Sequence, residues 1–204
     1  MLTLYKLRYT TNQNSLYDIN VTFLHSSITY FVGISKLDKM CLLKIIANIQ
    51  KPVNGHVIVS QEKPYCLYLS NNFGLNNRMT VFENLKFWAR LYNSIETMEA
   101  SICYFGLQNV LDVACSKLSV IDKKKVVLSK LISCQSDIWL LDEIESDIDI
   151  DTKKLLQNLI ISKANNGGII LITPHHDKWI ETAQILNIED YRVALNQKSY
   201  SKFI

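Results

Sequence analysis

Three short stretches of the chain carry residue types suited to phosphate chemistry. Residues 33–40 read Gly33-Ile34-Ser35-Lys36-Leu37-Asp38-Lys39-Met40. A glycine followed six positions later by a lysine matches part of the phosphate-cradling pattern GxxxxGK[ST]. The second glycine of that pattern is Asp38 here, and the hydroxyl position is Met40. Glycine lets the backbone approach a phosphate closely, whereas Asp38 brings a side chain and a negative charge to the same place. Met40 has no hydroxyl to offer Mg2+, while Lys39 remains able to pair with phosphate oxygens. The second stretch, Ile138-Trp139-Leu140-Leu141-Asp142-Glu143, is an apolar run closed by two carboxylates. Asp142 is placed to hold Mg2+ and Glu143 to polarise an attacking water. The third, Leu171-Ile172-Thr173-Pro174-His175-His176, ends in a histidine suited to contact a terminal phosphate. Each stretch also has a plain structural reading, as an ordinary turn, an acidic loop or a buried histidine.

The elements that must position these residues alternate between strand and helix. Strands are expected at 2–7, 19–24, 28–32, 56–59, 65–69, 138–141 and 169–173, from short runs rich in β-branched and aromatic residues. Helices are expected at 42–49, 81–92, 98–105, 107–114, 122–132, 152–163 and 180–186. The helix at 81 opens on a capping box, with Thr80 and Glu83 each able to reach the other's amide. It is expected to bury Phe82, Leu85, Trp88, Ala89 and Tyr92 on one face. Strand–helix alternation implies parallel strands in a buried sheet, whose ligands gather beyond the strands' carboxyl ends. Gly33, Asp142 and His175 all fall at such ends, and that coincidence is the strongest physical pointer to function.

Bulk properties narrow the class. The 204 residues suit a single domain, and a 48% hydrophobic content supplies a sizeable core. A net charge of +3 does not point to nucleic acid as a partner. The five cysteines lack CxxC spacing, which argues against a structural zinc site or a disulfide framework. The amino-terminal run MLTLYKLRYT does not read as a secretory signal, and the apolar windows are too short to span a bilayer.

Taken together, these residues resemble the ATP-binding subunits of ABC transporters. The markers are Gly33 and Lys39, residues 80–85, Leu118-Ser119, residues 140–143, Asp149 and Thr173-Pro174-His175. Within that family the chain is similar to the short heme-exporter branch of cytochrome c biogenesis, through residues 33–55, 78–87 and 166–173. The resemblance implies an α/β fold: a mostly parallel sheet of P-loop NTPase type with an inserted helical lobe and an antiparallel amino-terminal part. It implies one unit over residues 1–204, with the lobe at about 78–135. It further implies ATP and Mg2+ as cofactors, a homodimer, and an integral-membrane permease of the cytochrome c maturation system as partner. The place implied is peripheral, on the cytoplasmic face of a bacterial inner membrane.

The site residues carried over by the resemblance are residues 33–40 for phosphate, Asp142 for the metal, and Glu143 and His175 for catalysis. His175 is preferred to His176 on the family's spacing. Ser119 stands for the signature, Asp149 for the D-loop, Asn72 for the glutamine-loop residue and Tyr9, with Tyr5 nearby, for adenine stacking. The departures fall on the phosphate-holding surfaces. The signature LSGGQ or LSAGQ is Leu118-Ser119-Val120-Ile121-Asp122, and the proline after the carboxylate pair is Ile144. Two functions compete: a transport ATPase for heme export, and a catalytically impaired scaffold on the same membrane partner. A small-molecule kinase is a third reading, but it accounts for neither residues 80–85 nor Leu118-Ser119.

Overall fold

The structure, a computed structural model, describes residues 1–10, 16–60, 66–71, 74–175 and 178–193. It opens with two strands, β1 (Leu2–Thr10) and β2 (Leu16–Phe23), paired antiparallel from Leu2 opposite Phe23 to Thr10 opposite Leu16. Strand β3 (Ser27–Val32) then crosses to a second sheet and leads into helix α1 (Lys36–Ile46). Strand β4 (Asn54–Val59) returns to pair antiparallel with β1, and β5 (Cys66–Ser70) begins on the second sheet. Four helices follow: α2 (Val81–Leu91), α3 (Met98–Phe105), α4 (Val120–Leu128) and α5 (Lys130–Ser133). The chain then alternates through β6 (Ile138–Asp142), α6 (Ile150–Asn165) and β7 (Ile169–Thr173), before β8 (Gln184–Asn187) and β9 (Arg192–Val193).

One sheet has the order β4-β1-β2-β9 and the other β5-β6-β7-β3-β8. All pairings in the second sheet are parallel. Its central strands are buried on both faces, which is why they read as unbroken apolar runs. Alternation along β6 sends Ile138 and Leu140 to the core shared with α1 and the antiparallel sheet, and Trp139 and Leu141 to the core shared with the helices. Strand β7 divides in the same way, with Ile169 and Leu171 on one side and Ile170 and Ile172 on the other. The carboxyl ends of β6 and β7 are thus clamped from both faces, and they hold Asp142 and Thr173 opposite each other.

Four sequence expectations differ from the structure. Helix α1 starts at Lys36, six residues earlier than expected, because Ser35 caps it. Residues 107–114 form only a 3-10 turn at Gln108–Val110. Their carbonyls serve α2 instead: Val81 and Phe82 donate their amides to the carbonyls of Val113 and Leu111. Residues 180–186 end not as a helix but as β8, which adds a parallel edge to β3. Helix α2 has the expected capping box, but its buried face runs through Val81, Asn84, Leu85, Trp88 and Ala89. Phe82 lies on the exposed side. Asn84 is buried because its side chain bonds the Asn76 amide and carbonyl and the Thr80 carbonyl.

Candidate functional site

Strand β3 ends at Val32, and Gly33 turns the chain with φ of 88°. Only glycine serves here. A Cβ at this position would sit 1.7 Å from Asn187 Oδ1, in a backbone region that other residues avoid. Ser35 then ends the turn as the N-cap of α1: its Oγ accepts from the Asp38 amide at 3.2 Å, and its carbonyl accepts from Lys39 N at 3.0 Å. The loop before the helix is therefore short, and the Asp38 amide is engaged within the chain rather than presented to a ligand. The amides of Lys36 and Leu37 open the first turn, where the helix dipole favours an anion.

The side chain of Asp38 does not project into that turn. It is 1% exposed, and its Oδ2 accepts a hydrogen bond from the Tyr17 hydroxyl at 3.2 Å. Tyr17 accepts in turn from Arg192 of β9, at 3.2 Å. The charge expected to repel a phosphate is instead turned into the core. Tyr9, the expected adenine platform, is 1% exposed and stacks on Tyr17 with ring centroids 5.0 Å apart. It belongs to the core and has no open face for a base. Ile34 packs against the same core, while Leu37 is exposed and Lys39 and Met40 are half-buried.

Across from the helix start stand the two carboxylates. Asp142 Oδ1 accepts from Thr173 Oγ1 at 2.5 Å, and its Oδ2 accepts from the Tyr68 hydroxyl at 3.1 Å. Burial, together with the Asp142 charge, raises the Tyr68 pKa, which keeps that hydroxyl a donor. Glu143 has φ of 51°, a strained value for a residue with a side chain, and its amide donates to the Thr173 carbonyl at 2.9 Å. That twist brings Glu143 Oε2 onto the ammonium of Lys36 in an ion pair. The hydrogen bond to Glu143 raises the Lys36 pKa against partial desolvation, with the charges of Glu143 and Asp142 adding to it. Glu143 is 4% exposed, so Lys36 is the cation that compensates a buried acid.

The remaining expected residues lie around this centre. His175 follows β7, and its amide donates to Glu145 Oε1 at 2.6 Å. With Asn71, Asp147, Lys153 and Trp179 it lines a cleft of about 380 Å³. Trp179 and Ile180 donate their amides to the Tyr30 hydroxyl, which fixes the segment after the histidine to β3. Ser119 caps α4: its Oγ accepts from the Asp122 amide and donates to Asp122 Oδ2 at 2.7 Å. Asp149 caps α6 through Thr152 N at 2.7 Å, and its two bonds with Thr152 lower its pKa. Asn72 and His176 lie outside the described residues. A larger cavity of about 610 Å³, with Leu2, Ile45, Val57 and Ile138 among its walls, shares no lining residue with the cleft at His175.

The structure thus joins Lys36, Glu143, Asp142, Thr173 and Tyr68 in one network, while the His175 amide is held separately by Glu145. Ser119 and Asp149 stand apart at helix starts. Sequence reasoning missed the roles of Lys36, Tyr68 and Thr173. One signal was available for Tyr68. It shares a strand face with Ser70, which pairs with Asp142, so a hydroxyl two residues back is in diagonal reach.

A divalent metal does not fit these residues as arranged. Position 40 offers a thioether, both Asp142 oxygens already accept a hydroxyl, and an ammonium stands on Glu143. A cation beside Asp142 and Glu143 would meet that ammonium as a like charge. Among the described residues no three His, Cys, Asp or Glu side chains gather into a metal-holding group.

Comparison with known proteins agrees with this architecture. The family model for ABC transporters matches residues 16–146. A cytochrome c biogenesis ATP-binding export protein, CcmA, of Rickettsia bellii is 46% identical over 195 residues, 92% of this chain and 100% of that protein. The Wolbachia pipientis protein of the same name is 30% identical, over 86% of this chain and 89% of its own. Among solved structures, an ABC transporter ATP-binding protein from Pyrococcus furiosus superposes with a TM-score of 0.79 at 21% identity, covering 94% of this chain and 99% of that one. A dimeric ATP-binding cassette holding ADP and Pi superposes with a TM-score of 0.73 at 15% identity, covering 86% and 88%. With the glycine turn, the capped helix and the paired carboxylates in this order on this sheet, the chain belongs to the ABC transporter ATP-binding family, in the branch of the cytochrome c biogenesis ATP-binding export proteins.

Proposed function

We propose that this chain is the ATP-binding subunit of a heme-export complex for cytochrome c biogenesis, coupling nucleotide turnover to an integral-membrane permease. One observation carries the reading: Lys36, at the start of α1 with Lys39 three residues on, pairs with Glu143 beside Asp142, in a chain that matches CcmA proteins over almost its full length. A triphosphate placed at that turn meets two ammonium groups and the amides of a helix start. Glu143 and His175 are the residues for water activation, the stretch from Gly33 to Met40 holds phosphate through Lys36, Lys39 and the amides of the helix start rather than through Asp38, and Ser119 and Asp149 are the contacts from a second copy. Two copies acting as a dimer, peripheral on the cytoplasmic side of an inner membrane, complete the reading. Among the described residues no helix is long and apolar enough to cross a membrane, so a membrane link would run through the permease. Mg2+ has no role in this proposal, since the residues present do not fit it.

A second reading, a docking scaffold without turnover, is favoured by one contact: the Lys36 ammonium on Glu143 holds the carboxylate that a working base would need free. ATP turnover by the chain co-purified with its membrane partner tests both readings. Under the first, Glu143→Gln lowers turnover by about 100-fold or more, the scale of a lost general base. Turnover unchanged by Glu143→Gln refutes the role given to Glu143, and no turnover by the wild-type complex refutes the first reading and leaves the scaffold.

A further inference from the structure

Lys36 occupies an unfavourable place for a lysine. It is the first residue of α1, where the helix dipole disfavours a cation, and Lys39 repeats the charge three residues on, on the same side of the helix. Two cations at a helix start are compensated only by anions. Lys36 has one in Glu143. Lys39 makes no ion pair among the described residues. The turn's own carboxylate, Asp38, is turned into the core onto the Tyr17 hydroxyl and forms an ion pair with neither lysine.

The ammonium of Lys36 has three donors, and Glu143 takes one. The side chain is 61% exposed although its partner is buried, so its other donors are open to solvent or to a ligand. Asp142, the neighbouring carboxylate, is near enough for its charge to act on the same ammonium, and it is already held by Thr173 and Tyr68. One cation thus stands between the carboxylate pair and the helix start. In a phosphate site that is where a bridging metal would act, and here position 40 has no hydroxyl to help hold one.

We propose that Lys36 is the resident cation of this site: its ammonium bridges Glu143 and the phosphates of the nucleotide in place of a divalent metal, so that ATP binds without Mg2+. The proposal rests on the nucleotide-binding reading above and deepens it. Lys36 acts here as a binding and positioning residue, keeping Glu143 against the phosphates. Lys39 supplies the second ammonium. Because the bridge is built into the chain, it cannot be removed by a chelator.

The experiment is ATP titration of the full chain by calorimetry, in excess EDTA and in excess MgCl2. For the wild type, the two dissociation constants are expected to agree within about fivefold, which is about 1 kcal/mol. A larger loss of affinity in EDTA overturns the proposal. Lys36→Ala is expected to weaken binding in EDTA by about tenfold or more, and Lys36→Arg to restore most of it, because the charge is kept. Lys36→Ala binding like the wild type in EDTA overturns it too. Near-UV circular dichroism confirms that each variant is folded. The wild-type comparison decides the matter alone if Lys36→Ala is not. Binding seen only with Mg2+ defeats this proposal and leaves the nucleotide-binding reading standing. No binding in either medium defeats both.

Discussion

Replacing Thr173 by valine isolates the bond that ties the third strand end to the carboxylate pair. The Thr173 hydroxyl is fully buried and donates to Asp142 Oδ1 at 2.5 Å, and Asp142 is 5% exposed. Valine has nearly the same volume and suits a β-strand, so no cavity opens and the strand itself is not weakened. What is lost is one charge-assisted hydrogen bond, and one buried carboxylate oxygen is left without its donor. Hydrogen bonds to charged groups contribute about 1.5–3 kcal/mol. Because Tyr68 still donates to the other oxygen, the expected loss is about 2 kcal/mol. For a chain of this length that lowers the unfolding midpoint by about 4–8 °C. Urea denaturation of wild type, Thr173→Val, Asp142→Asn and the double variant gives the loss and the coupling between the two residues, expected at about 1 kcal/mol. A Thr173→Val loss below about 0.5 kcal/mol refutes the reasoning, and so does the same loss whether or not Asp142 is present.

Three further outcomes follow from buried groups. Tyr30→Phe removes the acceptor of the Trp179 and Ile180 amides and should cost about 1–3 kcal/mol, with faster hydrogen exchange at those two amides. Lys130 lies 3.8 Å from the centroid of the Trp88 ring, and burial pushes its pKa down to about 8 from an ordinary 10.5. The folded state then releases this proton before the unfolded state does. The penalty is in full below about pH 8 and is relieved as pH rises toward 10.5, so wild type should gain stability relative to Lys130→Met across that window, measured by denaturation at each pH. Among the five free cysteines only Cys103 is exposed, so a thiol reagent should label it first and leave Cys115 and Cys134 until the chain unfolds, as peptide mapping will show. Early labelling of Cys134 would contradict its burial.

The strands and the strand ends that carry the candidate site were legible because a doubly buried parallel sheet writes itself as unbroken apolar runs. The runs ending at Asp142 and Thr173 were visible for that reason, and so was the capping box at Thr80 and Glu83. Expectations failed where a segment's partner, rather than its own pattern, decides its form. Residues 107–114 have a helical pattern but give their carbonyls to α2, and residues 184–187 become a strand because β3 offers an edge. The candidate site was legible as a set of positions, while its wiring was not. Nothing in the spacing tells that Lys36 reaches Glu143, since this depends on the left-handed turn at Glu143 and on the early start of α1. Tyr9 was misjudged because an aromatic residue at a strand end looks the same in sequence whether it faces a ligand or a neighbouring ring.

The burial of Asp38 bears on how the loop could change over time. Glycine at position 38 would rebuild the phosphate pattern, but it would leave the Tyr17 hydroxyl without its acceptor and open a hole beside Tyr9. The mended loop would belong to a less stable protein unless Tyr17 and Arg192 changed with it. Denaturation of Asp38→Gly measures that loss directly. Position 38 is thus tied to the sheet rather than to the loop: a single change to glycine trades stability for the loop pattern, and a restoration without that loss has to begin at Tyr17 and Arg192 in the sheet beneath it.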